Sequence, residues 1–277
     1  MTALEKPSSS FHNKAIMRST SFVIPLLSII LSLPAGAWES DGGAGLDPDL
    51  LPSACEVIPV NSKNEPVAHC SGHLWNGSNI ITAAHCLFER DPNDMDMHQP
   101  RGVKIYAECR IAAHSGKALA NTAEVLTDYK RVLVHRDYFA KTDTASKYSR
   151  FPVDELDVAI VQNQGHAAGA NQNIFSWNEA QEDRLLRSGR CYLSGFSRGF
   201  YLPEKIEKAR FNEYGKSVQI ENGEHGDSGG GVFCIGADNK TYVTVLLYTN
   251  LLGHLRMSHV VKLFPDLIPW EQAKRTK

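Results

Sequence analysis

The chain has 277 residues and a formal net charge of −2, with hydrophobic residues making up 42% of the total. Acidic and basic residues nearly balance, so the composition does not favour a nucleic-acid partner, and none is predicted.

The first segment has the pattern of a secretory signal peptide. Lys14 and Arg18 precede an apolar run over residues 22–33, which Ala35, Gly36 and Ala37 follow. The run is shorter than the roughly 20 apolar residues that a membrane span needs, and small residues suit a signal peptidase. Residues 1–37 are therefore predicted to be removed, with translation starting at the first residue or at Met17; the alternative is an uncleaved anchor. The mature protein is expected to be secreted or periplasmic, with no stable membrane association.

The cysteines fit this compartment. Removing residues 1–37, which hold three basic and one acidic residue, leaves 240 residues with a formal charge of −4 and all six cysteines. That length suffices for one large or two small cores. An even cysteine count in an exported chain favours disulfides over metal or redox chemistry, and six cysteines allow 15 pairings.

The remaining chain predicts an all-β protein. After an acidic leader at 38–54, short β-rich segments recur between turns, as in all-β folds. A polar stretch at 163–190 suits a connection between two domains, and residues 258–270 are apolar at roughly helical spacing. The predicted strands cover residues 67–74, 79–82, 103–112, 125–135, 158–162, 191–195, 231–235 and 241–249.

Three motifs carry the functional interpretation. Thr82-Ala83-Ala84-His85-Cys86, then Asp157-Val158-Ala159, then Gly226-Asp227-Ser228-Gly229-Gly230 supply histidine, aspartate and serine in that order. The set resembles the trypsin- and chymotrypsin-like serine proteases, over about residues 55–270.

The resemblance implies a role for each site residue. His85 would be the general base, Asp157 its orienting carboxylate and Ser228 the nucleophile, with the amides of Gly226 and Ser228 as the oxyanion hole. The substrate would be a polypeptide, and no cofactor or metal is expected. A burial argument agrees for Asp157, since a carboxylate between apolar residues needs a bonded partner.

The resemblance also implies a fold and disulfides. It predicts two six-stranded antiparallel β-barrels, at 55–162 with His85 and Asp157 and at 191–277 with Ser228, and a C-terminal helix. Cys70 and Cys86 match one bridge of the family, and Cys191 and Cys234 match another. Cys55 and Cys109 remain, and the family offers no equivalent for them.

Two departures from the family bear on activation and specificity. No Ile-Val-Gly-Gly-like activation motif lies between residues 38 and 70, so Asp227 needs another partner or stays solvated, as expected for a bacterial-type member that needs no activating cut. Asn222 aligns with the pocket-floor residue that is aspartate in trypsin-like members, and Thr249 lies near the pocket wall. A preference for an uncharged substrate side chain is therefore expected.

Two other functions are compatible with the sequence. A catalytically silent binding protein could use the same scaffold, although it would need none of the three catalytic residues. A zinc-binding protein could use Cys70, His73, His85 and Cys86, but adjacent side chains rarely turn toward one tetrahedral ion. The sequence predicts no particular oligomeric state.

Overall fold

The fold is known here from a computed structural model, which describes residues 46, 50–75, 79–91, 94–111, 121–139, 156–163, 184–185, 190–196, 205–214, 217–220, 223–249, 254–258 and 264–275. The predicted signal at 1–37 and most of the connection at 163–190 lie outside these residues. No helix within the described ranges has the length and apolar character to cross a membrane.

The described residues are mostly β-strand, as the sequence predicts, with short 3-10 turns and a short helix, α1 (Trp270–Arg275), near the C-terminus. The strands are β1 (Ala54–Val60), β2 (Cys70–Trp75), β3 (Asn79–Thr82), β4 (Phe88–Asp91), β5 (Asp94–Pro100), β6 (Lys104–Ile111), β7 (Asn121–Asp128), β8 (Val132–His135), β9 (Ala159–Val161), β10 (Cys191–Gly195), β11 (Lys205–Lys208), β12 (Phe211–Tyr214), β13 (Ser217–Ile220), β14 (Gly231–Ile235), β15 (Thr241–Thr249), β16 (His254–Ser258) and β17 (Leu267–Pro269).

These strands pair antiparallel in three sheets. The first has the order β17-β8-β9-β3-β2-β1-β6-β7, the second β11-β10-β14-β15-β16-β13-β12, and β4 and β5 form a separate hairpin. Every residue of β1 and β14 is buried, and their side chains are apolar except for Glu56 of β1. Between the described residues, no ladder joins β17 to β7 or β11 to β12. The architecture is thus a β-rich fold with a curled, half-barrel sheet, and two closed barrels remain an expectation.

One apolar core runs between the first and second sheets. It includes Val57 and Ile81 of the first sheet together with Phe233 and Val243 of the second, all at most 1% exposed. The ends of β2 and β3 and the turn before β14 therefore pack against the same apolar core.

Two predicted elements differ from the structure. The strand predicted over 125–135 is divided by a 3-10 turn at Tyr129–Arg131, because the Asp128 carboxylate accepts a hydrogen bond from the Lys130 amide. The helical pattern predicted over 258–270 gives instead the end of β16, a 3-10 turn and β17, and α1 begins only at Trp270. Pro265 and Pro269 interrupt the helical pattern there.

Candidate active site

Strand register brings His85 and Asp157 together. β3 and β9 are antiparallel partners with Thr82 opposite Ala159. The residues that follow β3 therefore lie beside those that precede β9, and these are the two segments that carry His85 and Asp157. A 3-10 turn at Ala84–Cys86 turns the histidine away from the strand direction.

His85 is held by two hydrogen bonds to one carboxylate. Its Nδ1 lies 2.5 Å from Asp157 Oδ2, and its backbone N–H donates to Asp157 Oδ1 at 2.7 Å. Asp157 is 1% exposed and His85 is 7% exposed, so water competes little for this pair. With Asp157 as an acceptor at Nδ1, that nitrogen carries the proton, and Nε2 is left as the basic nitrogen of the neutral ring.

Ser228 lies in a tight turn that leads into β14. Gly226 has φ of 97° and Gly229 has φ of 79°, values that favour glycine strongly over other residues. A Cβ at Gly229 would also overlap Thr82 Oγ1 and Ser71 O. Both glycines are therefore required by the backbone path that presents Ser228.

Ser71 of β2 anchors this turn to the first sheet. Its backbone N–H donates to Ser228 O at 2.9 Å, and its Oγ donates to Gly226 O at 2.7 Å. The same Oγ accepts a hydrogen bond from the Phe196 N–H at 2.8 Å, just beyond β10. One buried side chain therefore joins the strand before the histidine loop to two segments of the second half of the chain.

Asp227 has a local backbone partner. Its side chain is fully buried, and its Oδ2 accepts a hydrogen bond from the Glu224 N–H at 2.9 Å. The Asp227 amide in turn donates to Glu224 O at 3.1 Å, and a Cβ on Gly195 would overlap Asp227 Oδ1. The sequence left two alternatives for Asp227, another partner or a solvated side chain. The structure shows the first, because the carboxylate is buried and accepts a hydrogen bond from the Glu224 N–H.

Two amides of the turn that carries Ser228 donate no hydrogen bond to the described residues. Asp227 and Gly230 both donate backbone hydrogen bonds within the turn. For the part of the chain that the structure describes, the N–H groups of Gly226 and Ser228 donate none. Both residues line a cavity, so these two amides could bind an anion.

This cavity is lined by His85 and Ser228 together. Its volume is about 490 Å³, within the range of small-molecule and peptide side-chain sites. Cys86 Sγ lies 4.0 Å from His85 Nε2 and 3.6 Å from the backbone carbonyl oxygen of Ser228, so the imidazole and the backbone of Ser228 lie against the same sulfur. The remaining lining residues are Val67, Ala68, His69, Cys70, Arg101, His225 and Gly226.

All six cysteines are paired as Cys55–Cys109, Cys70–Cys86 and Cys191–Cys234. These include the two pairs that the resemblance implies, and the remaining two cysteines join β1 to β6.

The sulfur pairing bears on the zinc alternative. Ligand atoms of Cys70, His85 and Cys86 lie within 4.8 Å of one another, as a metal site would require. However, the two sulfur atoms form the Cys70–Cys86 disulfide, and His85 Nδ1 is hydrogen-bonded to Asp157. This set therefore offers no thiolate ligand.

Two predicted residues cannot be placed at the site. Asn222 lies outside the described residues, and Thr249 ends β15 without a described side chain. The pocket for the residue before the scissile bond thus stays a prediction.

Sequence reasoning missed Ser71, Arg101 and the cavity histidines His69 and His225. The position of Ser71 directly after Cys70 is a signal that could have identified it. Arg101 follows a hairpin and carries no motif, so only the folded structure brings it to the cavity.

Comparison of the sequence with models of known protein families and with curated protein sequences found no match.

Proposed function

We propose that this chain is a secreted serine endopeptidase of the trypsin-like type, using His85, Asp157 and Ser228. The observation that carries the proposal is the buried His85–Asp157 pair, whose histidine lines the same cavity as a serine in a glycine turn. A structural histidine would not need a serine and two unused amides beside its cavity. Each component has a defined role in acyl transfer.

In the first half of the reaction, Ser228 Oγ attacks the carbonyl carbon of the scissile bond. Its proton passes to His85 Nε2, and the imidazolium that forms is stabilised by the Asp157 carboxylate. The negative charge on the former carbonyl oxygen is bound by the amides of Gly226 and Ser228, and removal of one such donor typically lowers the rate by about 100- to 1000-fold. When the tetrahedral intermediate collapses, the C–N bond breaks and His85 gives its proton to the departing amine.

The second half repeats these steps with water. His85 takes a proton from water, whose oxygen attacks the acyl carbon bonded to Ser228 Oγ. Collapse releases the new carboxyl group and returns the proton to Ser228. The hydrogen bond between His85 Nδ1 and Asp157 favours the same tautomer of His85 at the start of each turnover.

The Asp227 contacts support activity without an activating cut. In this chain the Glu224 N–H donates to the Asp227 carboxylate, which gives Asp227 a partner that does not depend on a new N-terminus. Protein that begins at Trp38 is expected to hydrolyse peptides as purified. Activity that arises only after a further cut within residues 39–69 would contradict this expectation.

The test of the proposal is labelling with a fluorophosphonate, which reacts with activated serines. Wild-type protein should be labelled and Ser228→Ala should not, while both keep the same unfolding midpoint. Ser53→Ala is the matched control, because Ser53 is a buried serine that does not line the cavity. Labelling that persists in Ser228→Ala would place the nucleophile elsewhere, and a folded wild type that is never labelled would favour the silent binding protein.

A further inference from the structure

Among the described residues, the lining of the cavity beside the catalytic pair carries cationic and imidazole groups and no carboxylate. Its described lining includes Arg101, His69 and His225 but neither aspartate nor glutamate. We propose that this cavity selects an acidic side chain in the substrate segment that follows the scissile bond, with Arg101 as the determinant. The inference rests on the proposed peptidase function and names its substrate class.

The geometry of His85 assigns the cavity to the leaving-group side. The departing amine must come within hydrogen-bond reach of His85 Nε2 to receive its proton. That nitrogen lies 4.0 Å from Cys86 Sγ, so the Cys70–Cys86 bridge forms the wall next to the amine. The substrate residues attached to this amine must therefore pass along the bridge into the cavity.

Arg101 is fixed at this wall by backbone contacts. Its Nε donates to His85 O at 2.9 Å, and its backbone N–H donates to Leu87 O at 2.9 Å. The Arg101 side chain is 24% exposed, so it is partly buried but still accessible from solvent. A guanidinium has five N–H donors in a fork that fits a carboxylate, and the bond to His85 O uses one of them.

The other charges near the cavity leave Arg101 as the main anion-binding group. His69 Nε2 lies 2.8 Å from Oε1 of Glu56, which is 3% exposed, so a carboxylate already balances any charge on His69. Glu89 approaches Arg101 at 3.6 Å but is 42% exposed, which makes this ion pair a weak one. A substrate carboxylate in the cavity can therefore compete with Glu89 for the guanidinium.

The expected selectivity is modest because Arg101 is partly exposed. Ion pairs at such positions correspond to about a two- to fivefold preference. The preference should fall as salt rises, because the Debye length shortens from about 10 Å at 0.1 M to about 3 Å at 1 M.

The test compares peptides that differ only by Asp or Asn at the first or second position after the scissile bond. The readout is the Asp/Asn ratio of kcat/KM within each variant, which cancels any general change in the chemistry. Wild type should prefer Asp at one of these positions, and Arg101→Gln should bring the ratio to about one. Arg101→Lys should keep part of the preference, and Glu89→Gln should increase it by freeing the guanidinium.

Lys104→Gln is the matched control, since it removes the same formal charge from an exposed residue that does not line the cavity. It should keep the wild-type ratio. A wild-type ratio near one, or a ratio that survives Arg101→Gln, would overturn the proposal.

Failure of the peptidase function would be visible separately. A wild type that takes no fluorophosphonate label would remove the catalytic role, and binding of the same peptide pairs to Ser228→Ala by fluorescence anisotropy would then decide the selectivity. Tighter binding of the Asp peptide that disappears with Arg101→Gln supports carboxylate selection, and equal binding of the two peptides refutes it.

Discussion

Replacing Ser71 by alanine should weaken both the fold and the reaction. The Ser71 hydroxyl donates to Gly226 O at 2.7 Å and accepts from the Phe196 N–H at 2.8 Å. The variant leaves two part-buried backbone groups without this partner, and each loss typically costs about 1 to 3 kcal/mol. Because Gly226 and Phe196 are partly accessible to water, we expect the lower part of that range, about 2 to 3 kcal/mol in total.

The effect on the reaction follows from the same contact. Gly226 supplies one of the two unused amides, and the Ser71 hydroxyl fixes the peptide carbonyl that follows it. Loosening this peptide should lower the rate constant of fluorophosphonate labelling by about tenfold, equivalent to roughly 1.4 kcal/mol of transition-state stabilisation.

The chain offers a matched control in Ser53, which is also fully buried. Within the described ranges, the Ser53 hydroxyl has no hydrogen-bond partner, so Ser53→Ala should change the unfolding free energy by less than about 0.5 kcal/mol. Urea unfolding at constant m-value measures the stability of both variants, and labelling kinetics measure the reaction. Equal destabilisation by the two variants would refute the hydrogen-bond reasoning. A destabilised Ser71→Ala with the wild-type labelling rate would refute the positioning role.

Two further predictions concern buried ionisable side chains. Asp157→Asn should keep the fold but lower kcat by about 10⁴-fold, because an amide can hold His85 in the wrong tautomer. Asp128→Asn, at an exposed aspartate, is the control. If Asp157→Asn lowers kcat no more than this control does, the role of Asp157 is contradicted. Burial raises the pKa of Tyr129 well above its usual value near 10, so the unfolded chain loses this proton first and the unfolding free energy should fall as pH rises above about 10. Tyr129→Phe should reduce that alkaline loss in urea unfolding between pH 9 and 11, whereas an unchanged alkaline slope would count against burial as the cause.

Much of the strand pattern could be predicted from local sequence. β3, β10, β14 and β15 occur at the predicted residues, because each is a short apolar or β-branched run between turns. The predicted C-terminal helix is present but begins only at Trp270, and the described residues just before it form β17, because a short apolar run does not distinguish helix from strand.

The sequence could predict those residues of the candidate site that belong to a recognisable motif. The bond between His85 and Asp157 follows the expectation drawn from the motifs, and the β3–β9 register gives its physical basis. Ser71 and Arg101 differ, because their importance comes from contacts with residues 155 and 16 positions away in the chain. A sequence pattern does not encode such pairings, which depend on how the two sheets pack.

The place of β17 in the first sheet has a consequence for synthesis. β17 pairs with β8, with Leu267 opposite His135, and so covers the edge of the sheet that carries His85 and Asp157. It follows Ser228 in the chain, so a ribosome exposes β8 long before its partner emerges. During that interval β8 presents unpaired N–H and C=O groups to other chains. Among the described strands β17 is thus made last, and its pairing with β8 ends the period in which this edge of the nascent sheet is open to other chains.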